Sequence, residues 1–205
     1  MPIDFWFDFS CPYAYLASTR RRALAAEAGV AVHLQPFLLG GVFRAIGQAQ
    51  DLSATLSPAK ARHNRLDLLR WAAWWEVPLA SPLRHPNRTV TALRMLLATP
   101  PDAWEQVVDA FFALYWVHGA DIADPAVLRA TLNDLGLDGA GILDRAQSPD
   151  IKAELHDRTQ RALTVGVFGA PAFVVGDQLF WGQDRLPMVV RAAQGWQPER
   201  ADFRF

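Results

Sequence analysis

An α/β fold is predicted, in which a βαβ unit opens the chain, a ββα unit closes it, and a long helical stretch is inserted between the two. Three observations predict it. The opening "IDFWFDF" alternates Ile3, Phe5 and Phe7 with Asp4, Trp6 and Asp8, the period of a strand with one face more buried than the other. From about Pro58 to Leu163 the patterns are helical almost throughout. Near the end, "GAPAFVVGDQLFWG" reads as two short strands joined around Gly176-Asp177, followed by an amphipathic segment. The two ends are expected to form one sheet domain, residues 1–40 plus 164–205, with residues 41–163 as the helical insertion.

Each element has its own local signal. After the first strand, "PYAYLASTRRRALAAEA", Pro12 to Ala28, is rich in helix formers, carries proline in its first turn and meets Gly29 just past its end. "VAVHLQPF" is a second short strand of β-branched and aromatic residues that runs into Pro36. Strand, helix and strand at this spacing imply a parallel pair. Beyond "LLGG" a helix opens on Ser57 as N-cap with Pro58 at its first position. Further helices are expected to open on Asn87, near Pro101 or Asp102, and on Asp124, the last stopping at Gly136, with another from about Pro149 to Val165. "DRLPMVVRAAQGW" supplies the final amphipathic helix.

Composition excludes several classes of function. With 205 residues, 51% of them hydrophobic and 20% charged, the chain can bury a core without a metal or disulfide staple. A net charge of -1 with dispersed basic residues lacks the footprint of a nucleic-acid binder. No apolar run is long enough to span a bilayer, and Asp4 and Asp8 interrupt the first apolar segment, so neither a membrane nor a secretory signal is expected and the chain is assigned to the cytoplasm. His63 and His118 have no metal-ligand spacing.

The chemistry centres on "DFSCPYAY", which holds the single cysteine. Cys11 falls at the start of the first helix, where unpaired N–H groups and the helix dipole favour a thiolate. It is either a reactive sulfur open to solvent or a small buried hydrophobe. Pro171, directly before an apolar strand, is either a trans-proline opening that strand or a cis-proline that exposes the backbone of Ala170 to an extended ligand. A turn carrying C-P-x-A and a proline turn of this kind, in a βαβ…ββα order, resemble an architecture in which these two loops face one another.

With these residues the chain resembles the thioredoxin-like superfamily, in its DsbA-like branch with a helical insertion, and most closely the 2-hydroxychromene-2-carboxylate isomerase and kappa-class glutathione transferase family. "FDFSCPYAYLA", "LGGVF", "KARHNRLDLLRWA", "VPLASPLRHPNRTVTALR", "GVFGAPAFVV" and "LFWGQDRL" follow in the family's order, and W-G-x-D-R is the most discriminating block. The resemblance implies a thioredoxin-like domain, glutathione as cofactor, a small aromatic substrate and an arrangement compatible with a homodimer. It places Cys11 where the isomerases and transferases usually carry a serine that hydrogen-bonds the glutathione sulfur. The same position holds the attacking cysteine of the disulfide oxidases, whose second cysteine corresponds to Ala14.

The resemblance also implies further contacts. Asp184 and Arg185 would meet the γ-glutamyl amine and carboxylate, or else serve as a helix cap and a solvated cation. Gln183 stands where a small hydroxyl residue is common, Gln48 and Lys60 fall near the glycyl end, and Ala170 and Pro171 would present backbone to the cysteinyl unit. For the second substrate, Trp71 with Trp74 and Trp75 form either a core stripe or the wall of an aromatic pocket. Arg84, His85 or Asn87 would meet a substrate carboxylate, or be loop residues, with Asn87 a helix cap. Three functions follow: a glutathione-dependent isomerase or transferase acting on an aromatic 2-oxo acid or related electrophile; a monothiol thiol-disulfide oxidoreductase using Cys11 with glutathione; and a non-catalytic binding protein. A dithiol cycle within one chain is excluded, because no resolving thiol is present.

Overall fold

The structure is a computed structural model that describes residues 1–51, 53–82 and 84–198. The last residues of the expected sheet domain, 199–205, lie outside that range, as does Leu83 in the "SPLRHPNR" loop. Strands β1 (Ile3–Phe7), β2 (Val32–Pro36), β3 (Ala172–Val175) and β4 (Gln178–Trp181) form a sheet in the order β2-β1-β3-β4. β1 and β2 are parallel, with Phe5 opposite Leu34. β3 runs antiparallel to β1 with Phe173 opposite Phe5, and β4 antiparallel to β3. Helix α1 (Pro12–Ala28) makes the parallel crossover and ends on Gly29, whose φ of 68° is the left-handed cap that glycine adopts without strain. Gly176 (φ 62°) turns the β3–β4 hairpin.

The chain continues from β2 into α2 (Leu39–Ala45), α3 (Pro58–Trp74), α4 (Val90–Ala98), α5 (Trp104–Trp116), α6 (Pro125–Asp134), α7 (Gly139–Arg145) and α8 (Pro149–Thr164), and α9 (Leu186–Ala193) follows the hairpin. Caps at Ser57, whose Oγ accepts from Lys60 N, and at Asp124, whose carboxylate accepts from Ala126 N, start α3 and α6 as their sequences predict. One apolar core runs from the sheet into the inserted helices. Phe5 stacks on Phe173 at 5.1 Å, Phe7 meets Phe112 at 5.7 Å, and Phe9 packs on Phe111 and Phe112 at 5.6 and 5.0 Å, all fully buried. Arg21 of α1, 4% exposed, adds a polar clamp to Asp109 and Glu105 of α5.

The structure corrects four sequence expectations. The less buried face expected for β1 is reduced to Asp4: Trp6 is 1% exposed, against Phe37 in a smaller apolar cluster on the other side of the sheet, and Asp8, just past the strand, is also 1% exposed. Two short helices, α2 and α7, went unpredicted. Glycines at 40 and 41 argue against a helix, yet a Cβ at Gly41 would stand 3.0 Å from Thr159 Cγ2 of α8, so the small residue lets α2 lie close on that helix. Asn87 does not cap α4. The helix starts after Thr89, preceded by a cis His85–Pro86 peptide, and the Asn87 amide donates instead to Asp121 Oδ1 at 2.7 Å. Trp74 is 79% exposed, which removes it from any core stripe.

Candidate active site

Strand β1 delivers the chain to the N-terminus of α1, and Asp8 holds the connecting turn. Its Oδ1 accepts from Ser10 N (2.9 Å), Ser10 Oγ (3.0 Å) and Thr89 Oγ1 (2.7 Å), and its Oδ2 accepts from Leu39 N (2.8 Å) at the first turn of α2. One buried carboxyl therefore ties β1, the start of α1, α2 and the approach to α4 to a single point. Burial pushes its pKa up against the pull of those donors. Nothing in the alternation of "IDFWFDF" distinguishes Asp8 from a solvated strand residue, which is why its role was not read from sequence.

Cys11 is the N-cap residue of α1, with extended backbone (φ -92°, ψ 117°) and Pro12 at the first helical position. Its carbonyl accepts from Ala14 N and Tyr15 N, both at 3.1 Å, and its N–H donates to Asp8 O. The Ala170–Pro171 peptide is cis, and the Cys11 thiol donates to Ala170 O at 3.0 Å. The helix start and the proline turn thus face each other across one hydrogen bond, as expected. Of the two alternatives for Cys11, a reactive sulfur open to solvent or a small buried group, the structure shows the buried one. Cys11 is 8% exposed, and burial pushes its thiol up to about 12, a shift that hydrogen bonds from the Ala14 and Tyr13 N–H groups only partly offset and the Asp8 charge reinforces. At neutral pH the sulfur is a protonated donor.

Around this pair the final hairpin brings the W-G-x-D-R block. Gly182 (φ 109°) donates its N–H to Pro171 O at 3.0 Å, and a 3-10 turn, Gln183–Arg185, follows against α1. Gln183 is buried, whereas Asp184 and Arg185 are exposed and paired with each other. Asp184 does not cap α9; Arg185 holds that position without a side-chain bond. Tyr13, which the sequence reading passed over, lies between these parts. Its hydroxyl donates to Asn64 O of α3 at 3.4 Å, and burial, reinforced by the negative charges of Asp67 and Asp184, pushes its pKa up to about 12. Its place directly after C-P was the available signal.

The remaining expected residues divide. Gln48 and Lys60 are exposed, between α2 and α3 and on the first turn of α3, with no side-chain hydrogen bond among the described residues. Trp71 is half-buried, 5.0 Å from Trp75, whose ring lies 5.6 Å from the Arg20 guanidinium carbon of α1. Arg84, 80% exposed, pairs with Asp121 at 3.7 Å, and Asn87 also ends on Asp121. His85 Nδ1 lies 3.1 Å from Tyr115 Oη, and its ring meets Trp116 edge-to-face at 5.1 Å. Trp116 Nε1 donates to Phe9 O at 2.8 Å, so the His85 loop is joined to the turn that leads into Cys11. Among the described residues no group of three His, Cys, Asp or Glu side chains could hold a metal ion, and no helix is long and apolar enough to cross a membrane.

Comparison with known proteins places these features in context. A family model described as a DSBA-like thioredoxin domain matches residues 2–194. A 2-hydroxychromene-2-carboxylate isomerase of Sphingobium xenophagum is 35% identical over 184 residues, 90% of this chain and 93% of that protein. Glutathione S-transferase kappa 1 of Caenorhabditis elegans is 25% identical, with 96% of this chain and 92% of that protein covered. A solved structure of 2-hydroxychromene-2-carboxylate isomerase superposes with a TM-score of 0.83 at 28% identity, covering 95% of each chain.

Proposed function

The chain belongs to the DSBA-like thioredoxin-domain family, in its 2-hydroxychromene-2-carboxylate isomerase and kappa-class glutathione transferase branch, and from that premise we propose that it is a glutathione-dependent isomerase of an aromatic 2-oxo acid or related electrophile. The observation that carries the reading is the meeting of the α1 start at Cys11 with the cis-Pro171 turn, in a chain 35% identical to a 2-hydroxychromene-2-carboxylate isomerase over 90% of its length; the burial of the thiol by itself fits a non-catalytic binding protein equally well. A protonated sulfur suits hydrogen-bond donation to a bound thiolate and not attack on a disulfide.

The residues present fit glutathione. The Tyr13 and Ala14 N–H groups, which already lower the Cys11 pKa, are the helix-start donors that would hold a negative sulfur. Ala170 and Pro171 offer backbone on the opposite side. Asp184 and Arg185, mutually paired and exposed, carry the charges that an α-amino and an α-carboxylate group require. Gln183, Gln48 and Lys60 complete the proposed binding set, and Trp71, Arg84, His85 and Asn87 the proposed substrate side. Glutathione, when bound, supplies a thiolate able to add reversibly to a conjugated double bond so that the bond can rotate. The chain's part is to hold that charge, orient the substrate and supply donors for the oxygen on which negative charge develops.

The same premise supports proposing a small aromatic substrate, a cytoplasmic setting and a homodimer. The test is the interconversion of 2-hydroxychromene-2-carboxylate with its open-chain isomer, followed in the ultraviolet. Saturable acceleration by glutathione is expected; equal rates with and without it would remove the proposal. The monothiol oxidoreductase reading predicts glutathione-dependent reduction of a mixed disulfide that Cys11→Ser abolishes. It is the weaker reading, because the buried thiol stays protonated and Ala14 supplies no resolving sulfur.

A further inference from the structure

The hydrogen bonds around His85 fix more than its position. Tyr115 Oη lies 2.8 Å from Arg84 O, and a carbonyl can only accept, so the phenol proton points there. His85 Nδ1 lies 3.1 Å from the same phenol oxygen, which has only lone pairs left to offer. Nδ1 therefore carries a proton, and the neutral ring is the Nδ1–H tautomer with an unshared pair on Nε2. Tyr115 is fully buried and its pKa is raised, mainly by burial with contributions from Asp121 and Asp8, so the phenol does not ionise and reverse this order.

Nε2 has no hydrogen-bond partner among the described residues. Trp116 braces the ring from one side, Tyr115 holds the Nδ1 edge, and the residue is otherwise exposed. Through Trp116 Nε1 and Phe9 O the imidazole is anchored to the turn two residues before Cys11. The charged groups facing it are the Asp51 carboxylate, which favours the imidazolium, and on the far side of Tyr115 the Arg84–Asp121 pair. Desolvation outweighs Asp51 and lowers the His85 pKa, so the ring is neutral at pH 7. A neutral imidazole is a poor counter-ion for a carboxylate and a good base.

We infer that His85 is the proton-transfer group of the site, its Nε2 taking the proton from a hydroxyl of a cyclic hemiketal substrate and returning it to the phenolic oxygen. The inference deepens the isomerase reading and rests on it. 2-Hydroxychromene-2-carboxylate is such a hemiketal. As its O–H proton passes to Nε2, the carbonyl forms and the bond from the hemiketal carbon to the ring oxygen breaks. The electron pair stays on the phenolate oxygen, which recovers the proton from the imidazolium. No oxidant or reductant enters, and the open-chain unsaturated 2-oxo acid is released for isomerisation about its double bond.

Two measurements on the full chain test this. Nitrogen-15 chemical shifts of the His85 ring, assigned by their loss in His85→Asn, should show protonated Nδ1 and unprotonated Nε2 at neutral pH; protonated Nε2 overturns the inference whatever the activity. His85→Asn keeps an amide donor for Tyr115 but has no Nε2. It should lower kcat/KM by about 100-fold, the low end for a general base, and abolish an acid limb that the unaltered chain shows below the ordinary imidazole pKa of about 6.5. Unchanged rate and pH profile in His85→Asn, with the unaltered chain active, overturn the role of His85 alone. An unaltered chain that fails to isomerise the substrate overturns the isomerase reading and this role with it, even with the predicted tautomer in place.

Discussion

Cys11 closes the turn that leaves β1 and His85 is joined to that turn through Trp116, and desolvation, complete at the thiol and partial at the imidazole, acts on them in opposite directions to the same end. Desolvation raises the thiol and lowers the imidazole, because in each case it disfavours the charged form. Each is then pinned by one hydrogen bond to a neighbouring loop or helix, Cys11 as donor to Ala170 O and His85 as Nδ1–H donor to Tyr115 Oη. One region offers an uncharged donor at a helix start and the other an uncharged acceptor on an exposed edge. The proposed site would hold no net charge of its own at these two groups; charge would arrive with the ligand, where the helix-start N–H groups could meet it.

Trp116 joins the two regions, and removing it should break the comparison most severely. It is 3% exposed, braces the His85 ring and donates to Phe9 O. Trp116→Ala should cost about 3–5 kcal/mol, the range for deleting a buried aromatic. Urea unfolding would show this as a lower midpoint at unchanged m-value. A loss under about 1 kcal/mol would mean that the two regions are not coupled through the core.

Tyr115→Phe is the finer cut. It keeps the ring and removes only the hydroxyl that sets the His85 tautomer, at a stability cost of about 1 kcal/mol. Released from that bond, the ring populates both tautomers, and kcat should fall less than in His85→Asn with KM little changed. If His85 were only a packing residue, Tyr115→Phe would leave kcat alone.

How much of this was legible in the sequence follows the range of the forces involved. Helix α1 was read to its last residue because Pro12 at its start and Gly29 at its end are local signals, whereas the Cys11-to-Pro171 juxtaposition came from the resemblance to a thioredoxin-like architecture. The hairpin around Gly176-Asp177 was legible for the same reason. Burial was not. Asp8 and Trp6 read as outward-facing strand residues, and only the packing of α2 and α8 across the second face of the sheet shows otherwise. The Cys11 thiolate was inferred from the helix dipole, a local effect, and was overruled by desolvation, which depends on every neighbour in space. The His85 tautomer required Tyr115, thirty positions away, and the carbonyl of Arg84.

Alkaline titration separates the thiol from the imidazole. A folded-state thiol near 12 against an unfolded value of 9.0 means that the native chain holds its proton longer. The stability gained from this is complete below pH 9 and is lost as pH rises toward about 12. Alkylation of Cys11 should accordingly keep rising with pH beyond 9, without a plateau near neutrality. A plateau below pH 8 would restore the thiolate and, with it, the oxidoreductase reading.

The smallest effect is the most telling. Cys11→Ser exchanges an S–H for an O–H in the same bond to Ala170 O. If the group acts only as a donor, the exchange shifts one hydrogen bond by about 1 kcal/mol at most, so glutathione-dependent isomerisation should stay within about fivefold of the unaltered chain and tend upward, since the hydroxyl is the better donor. If the sulfur instead attacks substrate or disulfide, the same substitution removes the nucleophile and abolishes turnover. Cys11→Ala, which has no donor, should fall below Cys11→Ser in kcat under the first account and match it under the second. The order of these two variants decides between a donor and a nucleophile at Cys11.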